Sequence, residues 1–180
     1  QGLALSLYAL KQYDKAMPYL DALLKKEKVD PKVSRERLVM LHGQCLMISG
    51  KRVDAKALFL TEIKGLKDKS YRGAALAAIC DVSFSEKKWL DVEKWAVGLI
   101  ASKPGPEGLA RVLYQQGYAK YQLKKPQDAV QSLVGIAALE ANKLWSTRAN
   151  YILGECYNLL KEYGKAEQSF LASLPSLGPP

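Results

Sequence analysis

One recurrence limits what this chain can fold into more than any other feature. A small residue returns at Ala16, Ala55, Val92, Ala129 and Ala166, with intervals of 39, 37, 37 and 37 residues. The same wording surrounds each copy. "RANYILGECYNLLKEYGKAEQSFLASL" (148–174) carries Gly154, Tyr163, Ala166 and Phe170. One period earlier stand Gly117, Pro126, Ala129 and Leu133, then Cys80, Trp89, Val92 and Ala96. Gly43, Arg52, Ala55 and Phe59 precede them, and Ala4, Tyr13, Ala16 and Leu20 open the series. A repeated segment of this length is one supersecondary unit that cannot bury its apolar face alone, so copies must stack.

The apolar spacing says what the unit is. In 148–174, Leu153, Cys156, Tyr157 and Leu160 share one helical face. The stripe breaks at "KEYG", after which Ala166, Phe170 and Leu174 share another. Two helices joined by a tight turn fit this better than one long helix. Turns are expected near 11–13, 50–52, 86–88, 124–126 and 161–163. "EKVDPKVS", "ASKPGPEG" and "EANKLW" read as linkers between hairpins. Asp14, Asp54, Asp91 and Asp128 recur just before the small residue, where they suit the first turn of a second helix.

Composition fits a folded chain: 48% hydrophobic and 25% charged residues over 180 positions support a sizeable core, with one domain the starting expectation. No stretch approaches the ~20 apolar residues that cross a bilayer, so no transmembrane segment is expected. Cys45, Cys80 and Cys156 form no close pair and sit in apolar helical contexts, as small buried hydrophobes do. The chain starts "QGLALSLYAL" and stops at "LPSLGPP", and is expected to be part of a longer protein. Its net charge of +9 could draw an anionic partner. The lysines fall near turns and outer faces, without an Arg-rich run or recognition-helix signature, so a nucleic-acid or anionic-surface binder is the least favoured reading.

Catalytic chemistry finds no foothold in the sequence. His42 is the single histidine and has no HExxH or Cys/His ligand spacing around it; a packing or surface role is expected. The carboxylates are ordinary amphipathic surface residues, and neither a GxxxxGK[ST] nor a GxGxxG loop is present. No enzymatic activity, cofactor or metal is expected of this segment.

The wording resembles the tetratricopeptide repeat, in which Gly and a spaced Tyr precede the turn, and Ala and an aromatic follow it. Leu153, Gly154, Tyr157, Tyr163, Ala166 and Phe170 carry the resemblance most fully. Gly43, Ala55 and Phe59 support it, as do Gly117 and Ala129, whereas the third copy departs from it at Cys80 and Val92. The resemblance implies an all-α, right-handed superhelical solenoid of about five antiparallel hairpins, at approximately 1–30, 36–69, 72–103, 109–142 and 146–177. The long period and the "ANYILGECY" wording look like the bacterial cell-envelope branch of the family. That implies the periplasm or cell envelope, ahead of the cytoplasm, and a place in a membrane-associated complex.

In such folds the first helices of the hairpins line the inner surface. By register that face holds Arg37, Met40, Gln44 and Met47, then Ala77, Asp81 and Phe84. Arg111, Tyr114, Tyr118 and Tyr121 follow, and Arg148, Tyr151, Glu155 and Asn158 complete it. Apart from the resemblance, Tyr114, Tyr118 and Tyr121 stand at i, i+4 and i+7, and Arg111–Tyr114 is repeated as Arg148–Tyr151. Tyr with Arg suits a protein interface, since broad contact comes with hydrogen-bonding tips. A Tyr stripe can equally pack against the next hairpin, a reading that bears most on Tyr118, next to Gly117. The family's clamp for an acidic chaperone tail is not expected, because its Lys/Asn/Arg set is missing from these positions. The sequence therefore points to a scaffold that holds a partner peptide or helix in its groove during assembly of a larger complex. A structural spacer that uses its convex faces and ends is the alternative.

Overall fold

A computed structural model describes residues 2–26, 34–137 and 143–174. Among them every regular element is an α-helix. The helices are α1 (Gly2–Ala9), α2 (Tyr13–Leu24), α3 (Arg35–Ile48), α4 (Arg52–Glu62) and α5 (Lys69–Ser85). α6 (Trp89–Ala101), α7 (Pro106–Gln122), α8 (Pro126–Ala137), α9 (Lys143–Leu159) and α10 (Tyr163–Ser173) follow. The chain divides inside α5 into two compact units, Gln1–Val82 and Ser83–Pro180.

The hairpin turns share one backbone device. Lys11, Gly50, Lys87, Lys124 and Lys161 all take the left-handed conformation, with φ between 57° and 77°. At each, the turn residue donates its N–H three residues back, and the next residue donates five back: Lys161 to Asn158 and Glu162 to Tyr157, at 3.0 and 2.9 Å. The helix end is thus closed by two bonds to its last carbonyls. Gly accepts this conformation freely, whereas Lys at the other four turns pays a steric cost offset by the bonds and by a cation at the helix C-terminus.

The small residues of the repeat then set how closely paired helices approach. Ala16, Ala55, Val92, Ala129 and Ala166 are all buried. A Cβ added to Gly43 would lie 2.1 Å from Cζ of Phe59, and one on Gly117 would lie 2.5 Å from Cγ of Leu133. On Gly154 it would meet Phe170 at 2.5 Å. Each glycine is therefore the seat of the large residue sixteen positions later.

Unit 1 builds its core from Leu20, Leu38, Val39, Cys45 and Phe59, among others. Arg35 ties the start of α3 to two neighbours, donating to the Leu24 carbonyl at 2.8 Å and to Glu62 at 2.8 Å. The Glu36 carboxylate accepts the backbone N–H groups of Lys67 and Asp68, which closes the path from α4 to α5. Ser34 and Asp68 cap α3 and α5 through the N–H groups of Arg37 and Tyr71.

Unit 2 packs α7, α8 and α9 around Ala110, Ala129, Leu133, Ala149, Leu153 and Cys156. The repeating Asp residues lie in the first turns of α2, α4, α6 and α8, at the positive ends of those helices. Two linker boundaries move. Ala101 ends α6 and Pro106 already begins α7. Lys143–Trp145 form the first turn of α9 instead of a linker. "EKVDPKVS" falls outside the described residues apart from Ser34, as does the first half of "EANKLW".

Candidate partner-binding face

In unit 2 the first helices of successive hairpins, α7 and α9, pack side by side, and a 37-residue period places equivalent residues at neighbouring points. Arg111 and Tyr114 on α7 correspond to Arg148 and Tyr151 on α9. Trp145 joins the two pairs. Its ring lies 5.5 Å from that of Tyr114, and the Arg148 guanidinium stands over the same ring, 5.3 Å from the centroid. Such a cation–ring contact steadies the guanidinium, whose N–H groups can still donate to a carboxylate or carbonyl. Burial raises the Tyr114 hydroxyl pKa, with Tyr118 adding to the effect and Arg148 opposing it. That hydroxyl is a neutral donor at physiological pH.

The tyrosine stripe divides into different roles. Tyr118 is the most enclosed by other rings: Phe84, Trp89, Tyr114 and Tyr121 lie 5.4, 5.6, 6.0 and 6.3 Å away. These are ordinary tilted or edge-on aromatic distances, and they hold α7 against the end of α5 and the start of α6. Tyr121 is half-buried and donates its hydroxyl to Glu155 at 3.3 Å, linking α7 to α9. Its pKa is raised by burial first, then by the Glu155 charge and hydrogen bond. Tyr151 is 53% exposed and leans edge-on against Phe170 at 5.9 Å. Asn158 and Arg148 are exposed, and Arg111 is half-buried.

The remaining candidates lie in unit 1. Arg37 is exposed at the start of α3. Gln44 is exposed too, and its amide oxygen accepts the Tyr8 hydroxyl at 2.6 Å. Asp81 is half-buried near the end of α5. Met40 and His42, on the same helix, are buried. The face that this register marks on α3 therefore mixes exposed polar groups with buried apolar ones.

Trp89 and Trp145 were not among the sequence candidates. Trp89 occupies the repeat position of Tyr13 and Tyr163, so the aromatic preference there was visible, but its contacts with Phe84 and Tyr118 were not. Trp145 was hidden by the linker reading of "EANKLW". The signal that could have found it is its place one helical turn before Arg148.

The cysteines have a packing role. Cys45, Cys80 and Cys156 are buried thiols outside any disulfide, and burial pushes the thiol pKa values of Cys45 and Cys156 up to about 11. No helix among the described residues is long and apolar enough to cross a membrane.

Comparison with known proteins agrees with this architecture. The family model described as tetratricopeptide repeat matches residues 2–27. No curated protein matches the chain. Among solved structures, MamA AMB-1 superposes with a TM-score of 0.69 at 14% identity, over 96% of this chain and 93% of the other. A MamA RS-1 ArsTM double mutant gives 0.68 at 16% identity, over 96% and 89%. A putative kinesin light chain of Podosopora anserina, with nearly identical TPR-like repeats, gives 0.61 at 14%, over 96% and 90%. At these identities the likeness is one of fold, and it extends along almost the whole chain.

Proposed function

We propose that this chain, whose fold is that of the tetratricopeptide repeats, is a protein-interaction scaffold that seats a partner segment on α7 and α9. One observation carries the reading: the Arg-x-x-Tyr pair is duplicated on adjacent helices, with Trp145 between the copies in contact with both Tyr114 and Arg148. Arg148 and Arg111 offer planar donors to carboxylates or carbonyls of the partner, and Tyr151 offers exposed ring surface with a hydroxyl tip. Tyr114, Tyr118 and Tyr121 hold that surface in shape, through the ring contacts of Tyr118 and the Tyr121–Glu155 bond. Glu155 and Asn158 border the same face. Arg37, Gln44 and Asp81 are a separate candidate set within unit 1. Assembly of a larger complex, in the bacterial cell envelope, is the setting that the period and wording of the repeat support.

The test is titration of the authentic partner, captured from a native extract, against folded variants. Tyr151→Ala is expected to weaken binding by at least about 2 kcal/mol if it is a hot spot. Arg148→Ala should chiefly raise the dissociation rate, because its guanidinium meets a desolvated group, while Arg111→Ala should chiefly change the association rate and the salt dependence. Parent-like binding by all three would remove the partner from this face and leave the spacer reading in its place.

A further inference from the structure

Unit 1 carries a second cleft on a different side of its hairpins. It lies between α2 and α4, the second helices of the first two hairpins, with α3 as its floor, and has a volume of about 480 Å³. Met17, Pro18, Leu46 and Leu58 give it an apolar base, and Asp14, Asp21 and Asp54 bring three carboxylates to it, against Lys51 in its lining and Lys25 paired with Asp21. An acidic cleft is out of keeping with a chain of net charge +9.

Two further features make this cleft receptive to N–H donors. His42 lines it and is only 8% exposed, yet its Nδ1 is buried and has no hydrogen-bond partner. A buried polar atom in that state is unsatisfied, and a neutral imidazole nitrogen can accept from an N–H donor that enters the cleft. Pro18 stands inside α2 and has no N–H to give the Asp14 carbonyl, the acceptor four residues before it. Of the carboxylates, Asp21 is paired with Lys25 at 2.6 Å, and one Asp14 oxygen accepts the Ser49 hydroxyl at 2.7 Å. Asp54 and the second Asp14 oxygen are the groups best placed for a newcomer.

We propose that this cleft is a docking site for a basic amphipathic peptide segment, whose apolar side chain rests on Met17, Pro18, Leu46 and Leu58 while its Lys or Arg heads meet Asp14 and Asp54. The mixture decides the class of ligand. A simple metal ion would have no use for four apolar side chains, and an acidic peptide would meet the carboxylates with like charge. A cationic stem long enough to cover apolar surface matches both halves.

The single histidine supplies a local readout. The chain is labelled with ¹⁵N, and the His42 imidazole signals are followed during titration with a synthetic amphipathic helical peptide of about 18 residues, Leu and Lys at helical spacing. A twin peptide with Glu for Lys is the control. The Lys peptide is expected to move the imidazole signals saturably and to weaken with added salt, and the Glu peptide to leave them in place. Asp14→Asn/Asp54→Asn, both at exposed positions, should lower the affinity by about tenfold or more without altering the fold. Binding that leaves the imidazole signals unmoved, equal response to both peptides, or parent-like affinity in the double variant would overturn the proposal. So would a dimer in sedimentation that this double variant dissociates without peptide, which would assign the cleft to a second copy of the chain.

Discussion

The hairpins α3–α4 and α9–α10 are written alike and buried differently. Each sets a glycine under an aromatic ring sixteen residues later: Phe59 over Gly43 and Phe170 over Gly154. Phe59 is 2% exposed, while Phe170 is half-buried. The contact within the hairpin is the same; what differs is whether other helices cover the outer side of the ring. Phe170 has Tyr151 at its edge, on the exposed face of α9. A repeat thus encodes its own crossing, and the neighbours decide how much energy that crossing is worth.

The largest effect that would break this comparison is truncation of the rings. Phe59→Ala is expected to cost about 3–5 kcal/mol, as for a fully buried aromatic. Phe170→Ala should cost no more than about 2 kcal/mol, because part of its area already faces water. Urea unfolding of both variants measures the difference, and equal losses would mean that the half-burial of Phe170 has no energetic consequence.

Adding a methyl at the glycine comes next. Gly43→Ala places Cβ against a ring with nowhere to go and should cost about 1–3 kcal/mol, despite the better helix propensity of Ala. Gly117→Ala, under the fully buried Leu133, should behave similarly. Gly154→Ala should cost less, since Phe170 can swing outward. In a Phe59→Ala background the Gly43 methyl has room, so a double-mutant cycle should give a coupling of about 1 kcal/mol or more. An additive cycle would show that the ring is not what keeps residue 43 small.

Much of this architecture was legible because it depends on spacing. The recurrence of Ala16, Ala55, Val92, Ala129 and Ala166 located the paired helices and the turns between them, since a 37-residue period and a stripe break are properties of the chain itself. The left-handed lysines were less visible, because Gly signals that conformation and Lys does not. The candidate face was half legible. Arg111–Tyr114 and Arg148–Tyr151 could be found by register, but whether a tyrosine meets solvent or another ring depends on residues far along the chain. Tyr118 illustrates this: its neighbours Phe84 and Trp89 come from α5 and α6. The cleft around His42 was not foreseen, since its carboxylates come from two different helices and read in sequence as ordinary surface residues.

A smaller effect tests the turns across both units. Lys124→Gly and Lys161→Gly remove the left-handed strain at φ 60° and 61°, and each should raise stability by about 0.5–1 kcal/mol. The gain is partial, because Gly also enlarges the freedom of the unfolded chain. Gly50→Lys should lower stability by a similar amount, making the α3–α4 turn like the others. Thermal unfolding of the three variants ranks them, and a neutral Gly50→Lys would show that cation and helix end offset the strain fully.

The smallest expected effect separates the units by pH. His42 is the only histidine, and burial lowers its pKa, with Asp21 opposing and Lys25 reinforcing the shift. The unfolded chain therefore binds a proton near pH 6.5 that folded unit 1 resists. The stability associated with a neutral His42 is fully present above that pH. It declines as pH falls, and levels off once the folded-state pKa has been passed. Unit 2 contains no histidine and should keep its stability through the same window, above the range where carboxylates take up protons. Amide exchange protection in α3 and α9, compared at about pH 7 and about pH 5.5 after correction for the intrinsic exchange rate, reads the two units separately. Protection should fall in α3 alone, and His42→Gln should flatten that response. An equal fall in α9, or an unchanged slope in His42→Gln, would place the titrating group elsewhere.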